Sequence, residues 1–307
     1  MAAELLRRQF LTEITPRLFP NNSFLSRAIN DDAFVNSNTV ELPFAGTLPN
    51  AVVDRVVLPA PISQRTDVAT NYQMSEITTD PTLLKDSESL TLYYNKRSSI
   101  LDQHVKTINN KAAALALYKW AQGADSTRIT GSTGSMRPAG NSTGGQTGTR
   151  KAFTEVDIIK MQNYFFADDL QQDINDIRGI AIVTPRQYQD LISIDNFKRY
   201  DALGTSNIPS GVIKRAYGFD FYVRSTTVSL NVSDTLNAEG AAGTTNTQDA
   251  ALFYSADYVR RAVGSIKTYV DNDKPEYYGS IFSTMVRFGA IAARNDNKGV
   301  YILFEDN

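Results

Sequence analysis

Residues 98–122, SSILDQHVKTINNKAAALALYKWAQ, contain neither proline nor glycine. They set Leu101, Val105, Ile108, Ala112 and Leu115 at intervals of four, three, four and three. That spacing predicts a single apolar stripe along one α-helix. Ser98 or Ser99 is expected to cap its start, and Gly123 follows its end. At 1.5 Å per residue the helix is roughly 37 Å long. A helix of that length is a rod rather than a local connector.

Residues 39–82 pose the opposite problem. They hold five of the eleven prolines (Pro43, Pro49, Pro59, Pro61 and Pro81) between strand-like NAVVDRVVL and ATNYQMSEITT. Proline cannot donate to a ladder, which points to edge strands. A two-stranded excursion is marginal by itself. Ordering each residue costs about 1–2 kcal/mol of backbone entropy, which so few large apolar side chains do not offset locally. The segment is therefore expected to lie against another copy of the chain, through Val52, Val53, Arg55, Val56, Arg65 and Tyr72; an edge hairpin on its own domain is the other reading. Residues 1–15 read as a short amphipathic helix with Leu6, Phe10 and Ile14 on one face, stopped by Pro16 and Pro20. NNSFLSRAINDDAF continues as a second, irregular arm. So short a helix does not bury its stripe alone, and Leu6, Phe10 and Ile14 are expected to dock on a neighbouring surface, in this subunit or another.

DSESLTLYYNKR, before the long helix, is ambiguous between strand and helix. Residues 123–149 are rich in Gly, Ser and Thr and read as a flexible loop or linker. A compact α/β unit is then expected from about 150 to 260. Thr154 with Asp157 resembles a capping box, GIAIVTP is a buried strand, and Pro185 opens the helix PRQYQDLI. GVIKRA and YGFDFYVRSTT supply further strands, the latter with Phe219, Phe221 and Val223 on one face and Asp220, Tyr222 and Arg224 on the other. NVSDTLNAEGAAGTTNTQ reads as an exposed loop. The strand-rich remainder is expected to end in a hairpin turning through Asn295 to Gly299, with Val300, Ile302 and Phe304 alternating afterwards.

Little here is equipped for chemistry. Thirty-one basic residues face thirty-three acidic ones in 307, a net charge of −2, so no dominant basic surface grips nucleic acid. With no cysteine there is no thiolate, disulfide or cysteine-held metal, which fits a reducing cytoplasm. The single histidine, His104, has no nucleophile-elbow motif to serve and reads as a helix-surface or packing residue. GGQTGTR lacks the Gly-Lys-Ser/Thr ending of a phosphate loop. DNDKPEYY begins like a calcium loop, but Pro275 intrudes and Phe282 stands at the twelfth position, leaving a polar turn between strands. DDLQQDIND reads as a solvated acidic face. No apolar run approaches a membrane span or a signal peptide. No catalytic, cofactor-binding or metal-binding residue is assigned, and the chain does not read as an enzyme.

The order of the pieces is more specific than any one of them. TVELPFAGTLPNAVVDRV through SLTLYYNKRSSILDQHVKTINNKAAALALYKWAQ, then IAIVTPRQYQDLISIDNFKRYD, GVIKRAYGFDFYVRSTT and GSIFSTMVRFGAIAARNDNKGVYILFEDN, resembles the major capsid protein of tailed bacteriophages, with the Hong Kong 97-type fold. The resemblance implies an α+β subunit: an N-terminal arm (1–38), an extended β loop with flanking strands (39–82), a peripheral domain (83–150 and 262–307) with its spine helix at about 98–122, and an α/β axial domain (151–261). It implies pentamers and hexamers of an icosahedral or prolate shell around weakly contacted double-stranded DNA, assembled in the host cytoplasm and located in the virion. A portal and a decoration protein are implied partners, and, with only some forty residues before the β excursion, the resemblance implies a separate scaffolding protein or none. The lysine-to-asparagine cross-link of some relatives is not expected, because no lysine lies between Arg55 and Lys85. An encapsulin-like shell around protein cargo is the alternative within the fold. A cytoplasmic α/β enzyme, with converging perturbed carboxylates in a pocket, and a tail-tube subunit, with open helical tubes, are the alternatives outside it.

Overall fold

A computed structural model describes residues 24–44, 51–56, 58–60, 62, 68–85, 96–140, 142, 144–168, 170, 179–194, 215–294 and 296–307. The chain begins with short strands β1 (Ile29–Asn30) and β2 (Val35–Asn36), then β3 (Thr39–Phe44), β4 (Val68–Gln73), β5 (Ser75–Thr78) and β6 (Thr82–Lys85). Helix α1 (Lys96–Gln122) leads to β7 (Ile129–Gly131), β8 (Met136–Pro138) and β9 (Thr149–Lys151). After α2 (Glu155–Ala167), β10 (Gly179–Val183) and α3 (Pro185–Ser193) come β11 (Arg215–Ala216), β12 (Phe219–Val223) and β13 (Val228–Leu230). The chain closes with β14 (Gln248–Ser255), β15 (Val259–Lys274), β16 (Gly279–Ala292) and β17 (Val300–Phe304).

Among the described residues these strands make four sheets. The largest runs β11-β12-β10-β14-β17-β7, with β13 also on β14. The second runs β1-β15-β16-β5, with β6 also on β16; β2-β3-β4 and β8-β9 are separate. In the largest sheet, strand alternation sorts side chains onto two faces. Ile180, Ile182, Ala250, Leu252, Tyr254, Val300, Ile302 and Phe304 meet α1 on one. Ala181, Val183, Phe219, Phe221, Ala251, Phe253, Tyr301 and Leu303 meet Ile158, Met161 and Phe165 of α2 and Leu191 of α3 on the other. Because both faces are covered, β10, β14 and β17 are buried at every residue and carry little polar alternation.

Helix α1 is covered from two sides. The cluster that includes Leu101, Val105, Ile108, Ala112, Leu117 and Trp120 also takes in Val259, Phe282, Val286, Phe288 and Ala290 of the β15–β16 hairpin. The stripe runs further toward the C-terminus than the spacing implied: Ala116, Leu117, Trp120 and Ala121 are buried, whereas Leu115 is only partly so. Trp120 has no exposed surface, packs against Phe24 and Tyr254, and donates its indole N–H to the Arg260 carbonyl at 3.0 Å. The helix starts at Lys96, before either expected serine cap. Gly123 closes it for a steric reason: a Cβ there would stand 2.4 Å from that of Ala292. His104 is a packing residue, its ring nitrogens 2.7 Å from Thr79 Oγ1 and 3.0 Å from Thr82 Oγ1. Burial lowers its pKa from the ordinary histidine value.

Several local expectations hold. Thr154 and Asp157 form the capping box of α2, and Pro185 stands in the first turn of α3, which also carries a capping box of Thr184 and Gln187 that the spacing had not singled out. β15 and β16 pair in a long antiparallel hairpin, and residues 275–278 form its turn. Others do not. β17 forms no hairpin with β16; it crosses to the largest sheet, between β14 and β7, where its VYILF run is buried on both faces. Val223 lies past the covered part of β12 and is exposed, unlike Phe219 and Phe221. Asp168 is buried, accepting hydrogen bonds from Tyr301 Oη at 2.6 Å and Arg128 at 3.0 Å, and so is not part of a solvated face. The stretches 86–95, 171–178 and 211–214 lie outside the described residues.

The Gly/Ser/Thr-rich tract is not a linker. β7 extends the largest sheet, and β8 and β9 pair with each other. The tract is held because buried arginines need partners. Arg137 reaches Asp190 on α3 and Glu305 after β17; Arg150 donates to the carbonyls of Thr245 and, at 2.9 Å, Thr247. Gln146 donates to Asp249 at 2.7 Å.

Two outcomes follow for stability. Gly123→Ala is expected to lower it by about 1–3 kcal/mol through overpacking. Adding Ala292→Gly, which removes the opposing Cβ, is expected to recover part of the loss in a chemical-denaturation cycle. For His104, the unfolded chain takes up a proton at a higher pH than the folded one, so stability falls as pH drops through the ordinary histidine range. His104→Gln is expected to flatten that fall in melting temperatures measured against pH.

Candidate assembly surface

The β3–β4 ribbon pairs from Thr39 opposite Gln73 to Phe44 opposite Val68, with β2 against β3. Its base is part of the subunit. Val40, Leu42, Tyr72 and Met74 form a small core with Ala262 of β15. Tyr72 donates its hydroxyl to Asp31 at 3.2 Å, and Arg260 pairs with the other oxygen of that buried carboxylate at 2.8 Å. Burial first, and then the Asp31 charge, push the Tyr72 hydroxyl far above its ordinary pKa. Tyr72 therefore packs its own subunit and offers a neighbour little.

The far end of the ribbon is different. Val53 is 88% exposed, Val56 92% and Ile62 100%, with Val52 and Leu58 also well exposed. Arg55, beside them, is half-buried. Burying one such side chain is worth about 1.5–3 kcal/mol, so this patch carries a large unused driving force. Val52, Val53, Arg55 and Val56 thus lie together at the tip. Leu6, Phe10, Ile14 and Arg65 lie outside the described residues. The later part of the arm docks in its own subunit: Phe24, Leu25 and Ala28 join the α1 core, and β1 pairs with β15. Sequence reading also passed over a second exposed group, Tyr269, Tyr277 and Tyr278 toward the end of the β15–β16 hairpin.

Converging carboxylates do occur, but they are closed off. Arg137 Nε lies 2.8 Å from both Asp190 oxygens, and its terminal nitrogens lie 3.1 and 3.2 Å from Glu305. All three side chains are buried. Burial raises the Glu305 pKa, Arg137 opposes the rise, and the Asp249 and Asp190 charges add to it. An open cleft of about 700 Å³ lies elsewhere, lined by residues such as Thr133, Lys151, Lys160 and Gln248 and by none of these carboxylates. The perturbed Glu305 and this cleft do not coincide, as an enzyme site requires. No cluster of metal-ligating side chains, and no helix long and apolar enough to cross a membrane, occurs among the described residues.

No family model matches the chain, and no curated protein matches it in sequence. Solved structures do. The mature capsid of bacteriophage PhiM1 superposes with a TM-score of 0.58 at 12% identity, over 93% of this chain and 87% of that one. The chain has the fold of phage capsid proteins. The capsid of Ralstonia phage GP4 agrees at a TM-score of 0.57 and 12% identity, over 94% and 89%. The virus-like particle from Pyrococcus furiosus matches at 0.51 and 11% identity, over 99% of each chain. At these identities the likeness is one of architecture, as the resemblance in segment order implied.

The buried cluster yields a prediction that separates charge from packing. Arg137→Met is expected to cost about 3–5 kcal/mol, because two buried carboxylates lose their counter-charge. Glu305, whose pKa is raised, binds its proton more readily when folded, so its share of stability declines as pH rises past the ordinary carboxylate range. Glu305→Gln is expected to remove that decline in denaturation curves taken across the range.

Proposed function

We propose that this chain is the major capsid protein of a tailed bacteriophage, whose activity is regulated self-association into a closed shell around double-stranded DNA. The observation that carries the reading is the ribbon: its base is locked into the subunit while its apolar tip is bare. A tip so built is stabilised by a neighbour's surface. Val52, Val53, Arg55 and Val56 are the described contact residues, with Leu6, Phe10, Ile14 and Arg65 completing the set. In rings of five and six, one surface must meet rotationally related copies. The arm (1–38) and loop (39–82) absorb the differences between environments. The peripheral part (83–150 and 262–307) and axial part (151–261) act as one rigid frame, since β7 and β17 complete the sheet built on β10 and β14.

The near-neutral charge suits a container whose DNA is loosely held. Portal and scaffolding proteins, and a decorating protein, are the expected partners; the virion is the expected location, after assembly in the host cytoplasm. No cofactor or enzymatic step is invoked. An encapsulin-like shell around protein cargo is the second reading; the match to the virus-like particle over 99% of each chain supports a shell under either reading.

Electron microscopy of the chain expressed with its genomic neighbours is expected to show spherical shells; tubes or persistent monomers would overturn the proposal. Packaged DNA in the particles separates the first reading from the second. The double variant Val53→Asp, Val56→Asp is expected to keep its stability within about 0.5 kcal/mol and to lose assembly. Normal particle yield from that variant would remove the tip from the mechanism.

A further inference from the structure

The largest sheet has two ends. β7 stands at one, paired among the described residues with β17 alone, and β11 stands at the other. Ser132 donates its N–H to the Phe304 carbonyl at 2.9 Å, so alternation turns the backbone groups of Thr130 toward β17. Those of Ile129 and Gly131 face outward, as an open edge does. The open cleft of about 700 Å³ runs along this edge, lined by Thr127, Ile129, Gly131, Lys160, Asp234 and Gln248 among others.

Two further observations indicate that the cleft takes an occupant. Gln248 is 2% exposed, yet its Oε1 accepts no hydrogen bond among the described residues. A buried acceptor in that state is costly, and it belongs to a residue that lines the cleft. The charges along the cleft are also unevenly used. Lys151 pairs with Asp306 at 2.5 Å and Arg128 with Asp168 at 3.0 Å. Lys160 and Asp234 are both exposed and have no ion-pair partner among the described residues.

We propose that the β7 cleft receives the β11–β12 hairpin of a second copy, which adds its β11 strand to the open edge. Opposite ends of one sheet give a head-to-tail contact, the kind that forms a ring when the rotation between copies closes. Strand addition supplies main-chain hydrogen bonds, and side chains supply selectivity. The β11 end brings both signs of charge, an exposed Arg215 3.9 Å from Asp220, to a cleft that offers Lys160 and Asp234. The polar lining of the cleft excludes the apolar ribbon tip as its occupant.

This contact rests on the shell reading, and the test keeps the two apart. The chain has no cysteine, so engineered thiols report cleanly. The double variant Lys160→Cys, Arg215→Cys is assembled and oxidised beside each single variant. Hydrogen exchange of residues 127–133 in the unmodified chain is compared before and after assembly. The expected result is a covalent ladder of several subunits from the double variant only, with residues 127–133 protected on assembly. Shells that form without a ladder overturn the contact and leave the shell reading standing; protection without a ladder also counts against it, by placing another segment in the cleft. Absence of any assembly removes both.

Discussion

A helix of 27 residues has more apolar surface than one sheet covers, and α1 is covered by two. One side of the helix meets the inner face of the largest sheet, the other meets the β15–β16 hairpin. Trp120 joins these contacts by packing on Tyr254 and bonding to the Arg260 carbonyl. Phe24, from the start of the described chain, closes the same corner. Remove this double coverage and the two sheets lose a common partner, because residues of both join α1 in one core.

Buried charge does the rest of the ordering. A tract of glycine, serine and threonine has little apolar surface to hold it, yet Arg137 and Arg150 draw it into the fold. Once desolvated, each guanidinium must find acceptors, and these come from α3, from the residues after β17 and from the loop before β14. The same loop is tied to α1 by Lys111 and Glu239 at 2.7 Å. The cluster that in an enzyme would be poised for proton transfer is here closed and paired. It fixes where the chain runs.

The ribbon shows a division of labour within one hairpin. Its base shares a core with β15, and its tip keeps valines, a leucine and an isoleucine in water. Such a tip is tolerable in a free subunit only because the base holds the ribbon together. With a neighbour in place, the exposed area becomes binding energy, less the cost of ordering it. The bare tip, the tyrosine-bearing hairpin end and the open β7 edge are all surfaces that a rigid frame holds out from its core.

Much of the frame was legible in the sequence, because periodicity and capping are local. The α1 stripe, the Thr154/Asp157 capping box, the buried GIAIV strand and the Phe219/Phe221 face follow from side-chain spacing and short-range hydrogen bonding alone. The order of the segments carried the resemblance to the capsid fold. Other features depend on partners far apart in the chain. VYILF reads equally well as a hairpin arm or a central strand until β14 and β7 flank it. Arg137 carries no mark that Glu305, 168 positions later, will bury it. Tyr72 resembles its exposed ribbon neighbours until Asp31 accepts its hydroxyl. Spacing along the chain determined which faces are apolar; only the tertiary structure decided which face meets which, because burial and charge pairing are settled by the whole fold at once.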